Sequence, residues 1–227
     1  MNDDWKAQEL LDRKSGKVER IYTYKRERCK RVLHDSKRAM QLAGYTLIEK
    51  DLRSVITWLR EIEKRHVDGP KVDSDRHAWS KDRENYDLIK GLFVAALTFY
   101  GKCFAQCEGR RVKLERNHLD ASFREMHDVC IKYRNNFAAH SGAAQFETVQ
   151  IAIVFPRKPK KNVLPKIYHE LNQPDLVSGD GTETPTFIHL AEHVRGIVNE
   201  KISKLSDKIM QEEVLPKGFA YWNSVKT

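Results

Sequence analysis

Long apolar runs are missing from this chain. The longest, Leu88 to Phe99, is interrupted by Lys90. It falls short of the about 20 residues that a helix needs to cross a bilayer, so no membrane span is expected. The opening Met1-Asn2-Asp3-Asp4 has no apolar run behind it, and no secretory leader is expected. Cysteine is scarce, with 4 in 227 residues. That is too few for a disulfide scaffold, and a reducing, cytoplasmic setting is the expectation. Glycine is not arranged as a phosphate-binding P-loop, a dinucleotide fingerprint or a nucleophile elbow. No repeat or low-complexity tract is present, and no cofactor is expected.

Charge is abundant. Hydrophobic residues make up 40% of the chain and charged residues 32%, so a core can form beneath a heavily charged surface. The formal net charge of +9 favours an anionic partner such as RNA, DNA or a nucleotide. The same charge also suits a merely soluble basic surface.

Apolar spacing predicts a mainly α-helical chain. A short helix is expected over 3–14, anchored by Trp5, Leu10 and Leu11 and interrupted at Ser15-Gly16. Residues 17–33 interleave cations with Tyr22 and Tyr24, which reads as a nucleic-acid surface or as a solvated helix face. Leu52, Val55, Ile56, Leu59 and Ile62 recur at three- and four-residue steps and predict a helix over 46–66, stopped by Asp68-Gly69-Pro70. Ser80, Asp82 and Glu84 suit the start of the next helix, which runs to about Cys107 and is apolar on most sides. A third helix is expected from Leu119 to His140. Val149, Ile151, Ile153 and Phe155 alternate with their neighbours and predict a strand. A basic, proline-bearing loop follows, then a return strand near 166–171. A last long helix spans 187–213. The expected organisation is an N-terminal helical extension, 1–80, packed on a core domain, 81–227, with a small β-hairpin inserted before the last long helix.

The densest chemistry lies in Tyr133-Arg134-Asn135-Asn136-Phe137-Ala138-Ala139-His140-Ser141-Gly142. Arginine offers a fixed charge and a planar donor fork for phosphate. Histidine exchanges a proton near neutral pH. Similar Arg–His spacings occur at Arg28/His34, Arg60/His66 and Arg111/His118, so context has to separate them. Only Arg134 has an amide beside it, alanines before the histidine and a Ser-Gly stop after it.

This segment resembles the motif of the HEPN superfamily: arginine, often followed by a polar residue, then four to six residues and histidine. The resemblance implies a HEPN-like helical bundle and a homodimer whose two motifs face each other across a cleft. It implies metal-independent cleavage of RNA by 2′-hydroxyl attack, with Arg134, His140 and Asn135 as catalytic residues. Tyr133 and Asn136 are auxiliary candidates. Toxins and antiviral-defence ribonucleases belong to the family, which implies an antitoxin or nucleotidyltransferase partner. Other members are non-catalytic modules that bind nucleic acid or nucleotides, and that alternative stays open.

On a straight helix, six positions at about 100° each set Arg134 and His140 about 120° apart. The long arginine side chain and a turn at Ser141-Gly142 relieve that separation. A histidine near a helix end also serves as a simple cap. Arg157, Lys158, Lys160 and Lys161 form a basic loop suited to RNA phosphates or to plain solvation. Cys103, Cys107, His127 and Cys130 offer a weaker alternative, a zinc site between two helices, against ordinary buried thiols.

Overall fold

A computed structural model describes residues 4–67, 83–138, 148–158, 162–172 and 186–225. The described residues are mainly helical, with two small sheets among them. The chain divides into two units, Ala43–Ile202 and a second formed by Met1–Leu42 with Ser203–Thr227. No helix among the described residues is long and apolar enough to cross a membrane.

In the second unit, residues expected to begin as a helix form strands instead. β1 (Trp5–Leu11) pairs antiparallel with β2 (Val18–Tyr24), which pairs with the short β3 (Glu27–Arg28). Turn chemistry decides this. Asp12 Oδ1 accepts from the N–H groups of Lys14 (2.8 Å) and Ser15 (3.2 Å), and Gly16 takes a φ of +67°. That closes a hairpin and leaves the β-prone Val18-Glu19-Arg20-Ile21-Tyr22-Thr23-Tyr24 as its second arm. Trp5 and Tyr24 face each other across the pair, ring centroids 4.8 Å apart. The basic-aromatic run 17–33 therefore lies largely on strands, not on a helix, and two of its cations are paired, Arg20 with Glu9 and Arg28 with Glu19. Near the other end of the chain, Glu213 binds His34 and Arg38, and Trp222 donates its indole N–H to the Val214 carbonyl. Glu213 and Val214 belong to the π-helical turn Ile209–Val214, and Trp222 belongs to helix α5 (Gly218–Ser224).

The larger unit is a helical core. Helix α1 (Lys37–Val67) begins beyond Ser36, whose hydroxyl accepts the Ala39 N–H at 3.1 Å as an N-cap. Its Ile48, Leu52, Val55, Ile56, Leu59 and Ile62 are buried. They pack in one cluster with Ile89, Ala96, Leu97, Tyr100 and Cys103 of α2 (Arg83–Phe104), Cys130 of α3 (Ala121–Tyr133), and Leu190, Ala191, Val194 and Val198 of α4 (Phe187–Lys208). Burying each large aliphatic side chain contributes about 1.5–3 kcal/mol. Helix α3 leads directly into the Arg134 segment, which also packs on α2, so this core fixes its backbone.

Asp51 is fully buried on α1 and holds the buried Arg110 of the loop after α2. That pair, with Leu114 N–H bonded to the Cys103 carbonyl at 2.9 Å, folds the loop back onto the helices. The hairpin appears where alternation placed it. β4 (Thr148–Val154) pairs antiparallel with β5 (Lys166–Asn172), Ile151 opposite His169 and Ile153 opposite Ile167.

Candidate functional site

Helix α3 ends at Tyr133, and the chain continues as a π-helical turn, Arg134–Ala138. Single π turns within helices are rare and recur at functional sites. The Arg134 N–H still bonds the carbonyls of Cys130 and Ile131, so its backbone is an extension of α3. Its side chain crosses to α2. A Cβ built on Gly101 would lie 3.0 Å from Arg134 Cγ, 3.2 Å from Cδ and 3.3 Å from Nε. The arginine stem thus packs closely on Gly101, and a Cβ there would push it by a few tenths of an ångström.

Beyond that stem, Arg134 Nη1 donates to Asn135 Oδ1 at 2.9 Å. The amide is neutral. Among the described residues no carboxylate pairs with Arg134, so its charge stays available to an anion. The other arginines of similar spacing differ. Arg28 is paired with Glu19 at 2.8 Å and Arg60 with Glu192 at 2.7 Å. His118, the histidine of the third spacing, accepts the Glu115 N–H at 3.0 Å.

Tyr133 and Asn136 are half-buried, and the Tyr133 ring stands edge-on to Phe93 with centroids 6.3 Å apart. The structure therefore brings Arg134 and Asn135 together beside α2 and holds Tyr133 in packing. His140, with Ser141 and Gly142, lies outside the described residues. Arg157 and Lys158 are exposed after β4, whereas Lys160 and Lys161 also lie outside the described residues.

The zinc alternative does not assemble. No group of three or more His, Cys, Asp or Glu among the described residues is placed to hold a metal. Three of the four side chains are engaged separately, and Cys130 is buried in the core. The Cys103 thiol donates to the Phe99 carbonyl at 3.2 Å, and Cys107 lies near the carbonyls of Lys102 and Ala105. His127 Nδ1 lies 2.8 Å from the Tyr100 hydroxyl. Burial pushes the Cys103 thiol up to about 12 and raises Cys130 as well, so both stay protonated at neutral pH. They are core thiols.

Burial also lowers the pKa of His127. The neutral ring and the Tyr100 hydroxyl share a hydrogen bond, and burial suppresses the ionisation of Tyr100. This pair stiffens the α2–α3 contact near Arg134.

Gly101 is the residue that spacing arguments overlooked. The sequence signal was weak: an isolated glycine inside a helical pattern costs about 1 kcal/mol relative to alanine, but Gly91 of the same helix shares that signal with no neighbour within 4 Å. Comparison with protein-family models, with curated proteins and with solved structures finds no match for this chain.

Proposed function

We propose that this protein is a metal-independent endoribonuclease of HEPN type. On this reading the helical core with its inserted hairpin is a HEPN-like bundle. The observation that carries the proposal is the state of Arg134: its stem is seated against Gly101, its fork is oriented by Asn135, and its charge is unpaired among the described residues. A guanidinium so held is pre-organised to stabilise the charge that grows on a phosphorane-like transition state. His140 supplies the proton transfer, a contribution of about 10²–10⁴-fold. The RNA 2′-hydroxyl attacks the adjacent phosphorus, the 5′-oxygen leaves with a proton, and the products carry a 2′,3′-cyclic phosphate and a 5′-hydroxyl. Two copies, with both motifs near a twofold axis, complete the cleft. The reading further places the protein in a toxin or antiviral-defence system, with an antitoxin or nucleotidyltransferase as its partner.

The chemistry has a direct test. An RNA oligonucleotide with a single 2′-deoxy substitution at the scissile nucleotide lacks the nucleophile and should resist cleavage there, while the unmodified strand yields a cyclic-phosphate end. Cleavage of both strands alike contradicts the mechanism. Binding without cleavage of either leaves the protein as a nucleic-acid-binding module.

A further inference from the structure

Away from the Arg134 segment, α1 carries a second feature that catalysis does not use. Lys50, Arg53, Ser54, Thr57 and Trp58 line an open groove on its solvent side. At about 100° per residue these positions share one stripe, opposite the stripe of Leu52, Val55, Ile56 and Leu59 that enters the core.

Charge along this stripe is out of balance. The Asp51 carboxylate is shared by Lys50 at 3.3 Å, Lys102 at 3.5 Å and Arg110. The Glu49 carboxylate is shared by Arg53 at 2.9 Å and Arg195 at 2.8 Å. Five cations thus draw on two carboxylates. Asp51 is fully buried and faces Arg110, whereas the side chains of Lys50 and Lys102 are 54% and 44% exposed. Both ammonium groups are held by Asp51 on side chains that stay about half in solvent, so an external anion would share them with that carboxylate.

An aromatic surface adjoins this charge. Trp58 lines the groove while partly buried against the core, braced by Phe99 in an edge-to-face contact of 4.9 Å and 83°. The Lys102 ammonium lies 5.2 Å from the Phe99 ring centroid. A braced ring costs little to order when a planar ligand stacks on it. Cations along an open groove, with a π-face among them, are the means by which proteins grip single-stranded nucleic acid without reading sequence. An acidic peptide would use the cations and leave the indole idle.

We propose that this groove is a binding site for single-stranded nucleic acid, with Lys50, Arg53 and Lys102 contacting phosphates and Trp58 stacking on a base. The site extends the ribonuclease reading, on which it rests for its choice of ligand, but involves none of the residues assigned to the chemistry.

Binding of the full chain to fluorescently labelled oligonucleotides that resist cleavage tests it. The probes are a 2′-O-methyl RNA and a DNA strand of the same sequence, each followed by anisotropy over a salt series. Replacing both Lys50 and Arg53 by glutamine should weaken binding at least tenfold. It should also reduce the slope of log affinity against log salt by about 1.4, two single-strand contacts at about 0.7 each. Trp58→Ala should weaken binding by about 5- to 100-fold, while Trp58→Phe, which keeps a ring, should retain most of the affinity. Loss on both strands fits grip by phosphate and base, which RNA and DNA share; loss confined to one strand contradicts phosphate contact by these residues. Unchanged affinity and slope in a Lys50→Gln/Arg53→Gln protein that melts like wild type overturns the proposal. So does an affinity for AMP equal to that for the oligonucleotides. Neither outcome depends on cleavage, so failure of this site and failure of the ribonuclease reading are separable.

Discussion

The side chain of Arg134 lies on the bare Cα of Gly101, with its Cγ 3.0 Å from where a Cβ would stand. One helix thereby sets the position of a cation carried by the end of another. Gly101→Ala fills that space. The arginine stem is the part that can yield, because it is flexible and half-exposed. The expected result is a guanidinium displaced by a few tenths of an ångström and a loss of cleavage smaller than the about 10²-fold that a 1 Å misplacement costs. Stability should hold or rise by up to about 1 kcal/mol, because alanine restricts the unfolded chain. Lost activity at unchanged melting temperature is the signature; lost stability with retained specific activity would overturn this role for Gly101.

Asp51→Ala tests the buried ion cluster. It strips Arg110, which is 6% exposed, of its carboxylate. Removing one partner of a buried pair costs about 3–5 kcal/mol. Urea unfolding should show a loss of that size. A change under about 1 kcal/mol, the level of a surface pair, would mean that Arg110 reaches solvent.

His127 predicts a direction of pH dependence. Its folded pKa is lowered by burial from the usual 6.5, so the native state favours the neutral ring. That contribution is complete above 6.5 and is lost as pH falls through the lowered folded value. The melting temperature should decline between pH 7 and pH 5. His127→Gln, which keeps a hydrogen-bond acceptor for Tyr100, should decline less. Parallel pH profiles for the two proteins would remove His127 from the acid response.

Glu213 predicts a second, more acidic step. Hydrogen bonds from Ser36 and His34, with Arg38 beside them, hold its carboxyl down to about 2 from 4.5. Its contribution is complete above 4.5 and disappears as pH falls through about 2. Glu213→Gln should abolish any near-ultraviolet signal change of Trp222 in that window. A Trp222 transition that persists in the variant would assign it to another carboxyl.

Much of the helical core was legible because its residues obey one period. Leu52, Val55, Ile56, Leu59 and Ile62 are buried as their spacing requires, and Val149, Ile151 and Ile153 alternate along a real strand. The N-terminal strands were misread because Trp5, Leu10 and Leu11 can sit on a helix as well as on a strand. The deciding signal was the turn at Asp12 and Gly16. The Asp51–Arg110 pair joins positions 59 apart in sequence and has no local signature. At the candidate site Arg134 and Asn135 were visible as a motif, but Gly101 was not, since its role is to contribute no atoms.

The central claim is that Arg134 and His140 carry metal-independent RNA cleavage. The most direct measurement is the single-turnover cleavage rate of RNA in excess EDTA for the wild type, Arg134→Ala and His140→Ala. The account predicts that wild-type cleavage survives EDTA. Each substitution should then lower the rate by about 10²-fold or more while RNA affinity changes far less. Cleavage that stops in EDTA, or that continues at the wild-type rate in either variant, would contradict it.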